Sequence, residues 1–517
     1  MRFPPGASNA GRAIHRRVPG SGNAWLLVAA ICLSAPCLGM AVRAGTPPAP
    51  GNADPIEGVW LGTIVAPQGS VADIGLEFFR DTKGTLTFKL NFPAMFTYAV
   101  AFGIPVVADG RGHYVITPAL DLDLRFADNR LTGTFGKGKL PVRFQRGGEF
   151  PPRPVEERLP AAPALLWQYD MGGGTWAPPV VAEGVVFVGT SAGLFHAVRA
   201  SDGAAVWSWK GENGIDARAV VGNDTVYVVD TGTNLVALDR ARGSLRWIAP
   251  LHDQRIAGTK PPDNPTFNHR AATPLLVGDV IYCGSSDGGL YAIDAATGAK
   301  LWRHDAKAPV FSGIGLLGDD SLMFGTMDGS VVMLDRLTRR ETLRVGTGGG
   351  VVTTPIVAGG RLIVGSRDYL LYGFNLADGA PAWRYSYWFS WIESTPVLVD
   401  GLVYVGASDF SRVTALDPAT GRARWATPVH GMNWGTPLVT ADSVFTGTAS
   451  QNIKGTVIAH VGGIMALDRS TGAPRWQLLA AVPPENGFGG YAGSLALAGD
   501  KVIAAGFDGR LIALPAR

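Results

Sequence analysis

From residue 164 to the C-terminus, short apolar runs of three to five residues alternate with turn-forming residues, four runs to a unit. One unit reads 354–357 (Thr-Pro-Ile-Val), 362–365 (Leu-Ile-Val-Gly), 371–374 (Leu-Tyr-Gly-Phe) and 380–383 (Ala-Pro-Ala-Trp). Runs this short, bounded by Gly, Asp and Asn, predict β-strands joined by tight hairpins. The pairs Asp287-Gly288, Asp328-Gly329 and Asp508-Gly509 supply the positive φ such hairpins need. Each unit closes on a tryptophan, at Trp167, Trp207, Trp247, Trp302, Trp383, Trp425 and Trp476, with Leu343 standing in for one. Most steps are 40 to 42 residues, and the two longer ones absorb insertions at 251–270 and 450–462. Four strands at a period near 40 predict the blades of a propeller, and a large aromatic at each repeat predicts a wedge between blades. The last unit has only three strands, so residues 164–167 are expected to pair with it and close an eight-bladed ring spanning 164–517.

The clearest copy of the unit is Val280-Ile281-Tyr282-Cys283-Gly284-Ser285-Ser286-Asp287-Gly288-Gly289-Leu290-Tyr291-Ala292-Ile293-Asp294, followed by Thr297-Gly298 and Leu301-Trp302. It resembles the PQQ-like repeat, found in the eight-bladed propellers of the outer-membrane assembly factor BamB and of quinoprotein alcohol dehydrogenases. The resemblance covers 164–517, and it implies the fold more strongly than the activity. Two functions follow from it. One is an exported, non-catalytic scaffold that binds a protein or a small planar ligand. The other is an alcohol or sugar dehydrogenase dependent on pyrroloquinoline quinone and Ca²⁺, passing electrons to an external acceptor because no Cys-x-x-Cys-His haem motif is present.

Ahead of the propeller, residues 55–146 carry six further strand-like runs and read as a small antiparallel β barrel or sandwich, so the whole chain is expected to be all-β. The opening Gly58-Val59-Trp60-Leu61-Gly62 resembles the start of lipocalin-like barrels. Residues 147–163 hold five prolines and read as a stiff linker, and 45–54 as a shorter Pro/Gly-rich one. Residues 1–44 combine Arg2, Arg12, Arg16 and Arg17 with an apolar stretch and the small-residue site Val42-Arg43-Ala44. That is the pattern of a cleaved secretory signal peptide, and it predicts a periplasmic or secreted protein.

Removing this leader takes away five arginines and no acid, so the formal charge falls from +3 to −2. The basic balance belongs to the leader, and no nucleic-acid partner is inferred from it. Cys32 and Cys37 leave with the leader, and Cys283, on a strand of the third blade, is expected to be a small buried hydrophobe. Gly189-Thr190-Ser191-Ala192-Gly193 matches a nucleophile elbow in letters only, because no helix follows and the same letters recur in another blade's hairpin. No metal set is readable from local spacing.

In an antiparallel four-stranded blade, the middle hairpin and the connection to the next blade emerge at the same end. Both insertions therefore decorate one face, which also receives the segments leading into each innermost strand. Those segments supply the candidate site. Trp176, Arg218, Arg270, Trp388, Trp391, Asn433, Trp434 and Tyr491 are expected to line a ligand-binding funnel at the channel mouth. Glu393, Asp216 and His269 are the candidate catalytic groups. In the dehydrogenase reading, Glu393 with Asn433 would hold Ca²⁺, Asp216 would take the alcohol proton, Arg218 or Arg270 would meet the quinone oxygens, and Trp434 or Trp391 would floor the cofactor.

Overall fold

The computed structural model describes residues 54–517 apart from 67, 96, 102, 117–119, 137–138, 153–158, 253–271, 389, 410, 454–455 and 459–460. The signal peptide and most of the 45–54 linker expected from sequence lie outside the described residues. The described structure is all-β apart from one 3₁₀ turn, Pro93–Met95.

Eight four-stranded antiparallel units form the propeller. Blades 1 to 7 span residues 180–210, 220–250, 275–305, 315–346, 356–386, 397–428 and 438–479, and blade 8 spans 496–515. The eighth blade gains its fourth strand from Trp167–Asp170, which pairs antiparallel with Arg510–Pro515, Trp167 opposite Ala513. The closing strand thus begins where the sequence pattern placed its end. The described part of the Pro-rich 147–163 segment is not a free spacer. Pro160 and Ala162 exchange backbone hydrogen bonds with Gln477, both at 2.9 Å, covering the outer edge of blade 7.

The recurring tryptophan seats each blade on the next. The Trp207 indole N–H donates to the Arg240 carbonyl at 2.9 Å, and Trp383 and Trp425 bond Pro418 and Arg469 in the same way, each across a blade boundary. The ring covers the next blade's last turn, where Gly243 has φ +70°, and a Cβ there would lie 2.5 Å from Trp207 Cε3. The glycine is required twice, for its left-handed backbone and for the room above it. Where Leu343 replaces Trp, it contacts the equivalent Gly379. Facing Trp302, the turn residue is Arg339, at φ +62°, with its guanidinium 5.7 Å from the indole centre.

The N-terminal unit is one antiparallel sheet of nine strands curled into a nearly closed barrel. Its first strand, Gly58–Val65, pairs with both Val71–Arg80 and the last strand, Leu140–Arg146. Period-2 alternation sends Trp60, Phe78, Phe88, Phe92, Phe135 and Phe144 into a core where each is at most 1% exposed. Trp60 donates its indole N–H to Ile56 O at 2.6 Å and carries Arg146 over its ring.

The barrel and propeller share one continuous apolar core at blade 5. Trp388 inserts against the barrel's Phe92, ring centres 5.8 Å apart and nearly perpendicular. Beside it the Gln68 amide accepts from Ser386 N–H at 2.9 Å and donates to Ser386 O at 3.1 Å, imitating a strand partner.

Two glycines separate the tryptophan contact from backbone conformation. Gly184 has φ +74° and nothing within 4 Å of a built Cβ, whereas Gly243 meets Trp207. Gly184→Ala is expected to cost about 1 kcal/mol for its left-handed backbone alone. Gly243→Ala should cost at least twice that in urea denaturation, and equal losses would remove the wedge from the account.

Candidate functional site

Backbone pairing places the working face. Phe488–Gly490, in the connection into blade 8, pairs with the extended strand Ser443–Ile453 of blade 7, Gln451 opposite Phe488. The connection and the elongated hairpin therefore do share one end of the ring. The barrel sits on that end too, through Ser386 and Trp388.

Around the mouth, two clusters form on successive arcs of the ring. Blades 7, 8 and 1 contribute an aromatic cluster of Trp176, Trp434, Phe488 and Phe507. Trp176 is 5.4 Å from Trp434, 5.1 Å from Phe488 and 4.7 Å from Phe507, in tilted or edge-on contacts. Trp434 is only 6% exposed, so the cluster satisfies itself by packing, with half-buried Trp176 presenting its remaining surface.

Blades 5 and 6 contribute a charged cluster. Arg367 clasps the buried Glu393 carboxylate through Nε at 2.7 Å and through a second guanidinium nitrogen at 2.6 Å, and its guanidinium lies 4.6 Å from the Trp391 ring centre. Asp409 stands beside them with one face to solvent, accepting the Ser408 hydroxyl at 2.9 Å. Enclosure by the funnel walls, and then the Glu393 charge, raise its pKa from 3.8 to about 6. Tyr369 holds φ +76°, where blades 1, 3, 4 and 8 place glycine, and is 5% exposed. Burial raises its phenol pKa first, and Asp409 and the barrel's Asp121 raise it further. A bulky residue in this backbone region stores strain that neighbouring structure must hold.

Several expected site residues take other roles. Trp388 does not line the funnel; at 6% exposure it belongs to the barrel junction, because the barrel end offers it a larger apolar contact. Asn433 is fully buried and donates to Thr446 at 2.8 Å, turned into the blade rather than the channel. Tyr491 is 4% exposed and packs within the core between blades 7 and 8. Asp216 accepts the Ser191 hydroxyl at 2.6 Å, and Arg218 remains solvent-accessible in the channel. His269 and Arg270 lie outside the described residues. Cys283 is fully buried, and burial pushes its thiol pKa up.

Arg367, Asp409, Tyr369 and Phe507 were missed in the sequence pattern. Two of them carried a signal: Gly365-Ser366-Arg367-Asp368-Tyr369 breaks the repeat's Gly-Ser-Ser-Asp-Gly turn at two positions.

Eight such blades closed by a strand from the chain's N-terminal side define a PQQ-like propeller. In three spans, 160–295, 286–388 and 388–517, the chain matches a family model described as outer membrane protein assembly factor BamB, and it belongs to that family. BamB of Yersinia pestis is 28% identical over 264 residues, covering 47% of this chain and 62% of its own length. BamB of Bordetella pertussis is 26% identical over 208 residues, covering 39% and 53%. The chain thus spans less than two thirds of these relatives. A quinohemoprotein alcohol dehydrogenase, ADH IIB of Pseudomonas putida, is 30% identical over 145 residues, covering 25% and 21%. Among solved structures, quinohemoprotein alcohol dehydrogenase ADHIIG from Pseudomonas putida HK5 superposes with TM-score 0.51 at 14% identity, over 68% of this chain and 76% of that one. The computationally designed Ika8 protein does so with TM-score 0.55 at 15% identity, over 68% and 99%. At these identities the structures share the fold alone.

Asp409 gives the charged cluster a measurable signature. Its folded pKa of about 6 exceeds the ordinary 3.8, so the native state holds the proton more tightly than the unfolded chain. Its contribution is complete below about pH 4 and is lost as pH rises through 6. Thermal unfolding across pH 4–8 should therefore show Asp409→Asn gaining on the wild type between pH 4 and 6.5; parallel profiles would contradict the assignment.

Proposed function

We propose that this chain is a non-catalytic scaffold of envelope protein assembly, exported to the periplasm, that engages a protein partner at the funnel face. The observation carrying this reading is the match to the assembly-factor family across all eight blades. The funnel chemistry supports it. Its strongest polar groups are committed to one another, as Glu393 is to Arg367 and Asp216 to Ser191, and half-buried Trp176 and Trp391 supply the large aromatic surface that anchors protein contacts. The barrel packed on blade 5 adds its own surface to the same face.

A quinone-dependent dehydrogenase is the second reading, favoured by the similarity to ADH IIB of Pseudomonas putida. The side chains named for its cofactors do not fit that role. The Glu393 carboxylate is held by Arg367, and the Trp434 ring is packed edge-on rather than left open as a floor. The Asn433 amide N–H is spent on Thr446 while its Oδ1, unbonded among the described residues, faces the blade, 2.5 Å from where a Cβ on Gly406 would stand. Among the described residues no three carboxylate, His or Cys groups converge on one point. No catalytic step is derived through the quinone or Ca²⁺.

Two measurements test the pair of readings. A host lacking this gene should lose outer-membrane proteins, with complementation by the wild type but only weakly by the Trp176→Ala/Trp391→Ala double variant, each truncation costing about 2 kcal/mol of partner affinity. Calorimetric titration of residues 45–517 with pyrroloquinoline quinone should show no micromolar binding with or without Ca²⁺. Unchanged outer-membrane proteins together with calcium-dependent binding would replace the scaffold by the enzyme.

A further inference from the structure

The segment entering each blade alternates regularly. The residues one and three before each innermost strand are buried, and the residue two before it is partly accessible in seven of the eight blades, with Gly313 buried in the remaining one. These accessible positions are Pro178, Arg218, Thr273, Thr354, Thr395, Thr436 and Ser494. They touch from blade to blade. The Thr395 hydroxyl accepts Thr354 N–H at 3.1 Å, and the Ser494 hydroxyl accepts Thr436 N–H at 2.8 Å. A Cβ on Gly313 would lie 2.2 Å from Thr354 Oγ1 and 3.4 Å from Thr273 Cβ. Together they form a collar around the channel mouth, to which five blades contribute a hydroxyl and blade 2 an arginine.

Arg218 is anomalous in that collar. Ala217 and Ala219 on either side are 3% and 4% exposed and pack into the cores between blades, so the long side chain turns to the channel. Its guanidinium is accessible in the channel, and no described carboxylate lies against it. The carboxylates one turn of the alternation above, Asp216 and Glu393, are bonded to Ser191 and Arg367. The hydroxyls are in a related state. Those of Thr395 and Ser494 accept backbone N–H groups, and no bond from any of the five hydroxyls to a described acceptor is recorded, so each keeps an O–H to donate. A channel guanidinium with no counter-charge among the described residues is free to form charge-assisted hydrogen bonds to an anion.

We propose that this collar is an oxyanion site: Arg218, with the hydroxyls of Thr273, Thr354, Thr395, Thr436 and Ser494, takes a carboxylate or phosphate group at the channel mouth. The guanidinium supplies the charge and two parallel donors, and hydroxyls of the collar, beginning with Thr273 on the adjacent blade, supply the remaining ones. A carboxylate would arrive on a peptide or small acid, and a phosphate on a phosphorylated ligand or as the free ion.

The test uses the full mature chain in chloride buffer at constant ionic strength, titrated separately with inorganic phosphate and with acetate and followed by thermal unfolding. One of the two should raise Tm by a few degrees at saturating concentration, and which one does identifies the source class. Arg218→Gln should abolish the rise while leaving Tm in chloride unchanged, because the accessible side chain makes no hydrogen bond or ion pair among the described residues. Thr273→Val, which leaves the charge and the blade contacts in place, should weaken the apparent affinity several-fold. No rise with either anion, or an equal rise in Arg218→Gln, would overturn the site.

Discussion

Most blade boundaries of this protein depend on one contact: a tryptophan ring laid over the last turn of the following blade, with the indole N–H of Trp167, Trp207, Trp383 and Trp425 also bonded to a carbonyl of that turn. A four-stranded sheet has two apolar faces and buries neither alone, so a blade exists only between neighbours. The indole contributes area and the hydrogen bond contributes register, and a glycine beneath it with φ near +70° lets the backbone approach. The ring is then closed by Trp167, which bonds Ala200 O of blade 1 at 3.0 Å from its seat on blade 8. Closure through a strand from the other end of the domain makes the terminal blades as well supported as the middle ones.

On this frame the barrel is held by side chains that leave the repeat. Trp388 and Tyr369 both belong to blade 5 and both hold positive φ, at +61° and +76°. Each would be costly in an isolated blade, by about 1–3 kcal/mol. Trp388 recovers that cost by completing the barrel's apolar core against Phe92, while the Gln68 amide gives the adjacent backbone the partners a strand would have supplied. Strain in blade 5 is thus coupled to the presence of the barrel, and the charged cluster of Arg367, Glu393 and Asp409 lies beside that junction.

The propeller was legible because its pattern is written eight times, so an error in reading one copy is corrected by the others. Strand lengths, turn glycines, the wedge and the eight-bladed ring all follow from that redundancy. The barrel was legible as β from alternation alone, but Trp388 was misread as a funnel residue because nothing in 387–393 says that a second domain would cover one end of it. Asn433 and Tyr491 were misread for a related reason. A connecting segment faces the channel and the blade core on alternate residues, and a one-residue difference in register exchanges the two. Arg367 and Tyr369 were overlooked because they occupy turn positions, where the repeat had been read only for its glycines.

In a repeat protein, each departure from the pattern is informative according to what the new side chain meets. Arg339 stands where other blades have glycine, and its guanidinium lies over Trp302, so this departure repairs the wedge it interrupts. Tyr369 also replaces a turn glycine, and its surroundings include charge from the barrel, so this departure serves the junction. Arg218 replaces a small or hydroxyl residue at a collar position, and among the described residues it meets no carboxylate. An accessible charge with no partner among the described residues adds nothing to the packing of the ring, whereas a threonine there would have continued its run of hydroxyls. The property that arginine adds at this position is the capacity to bind an anion where the eight blades converge.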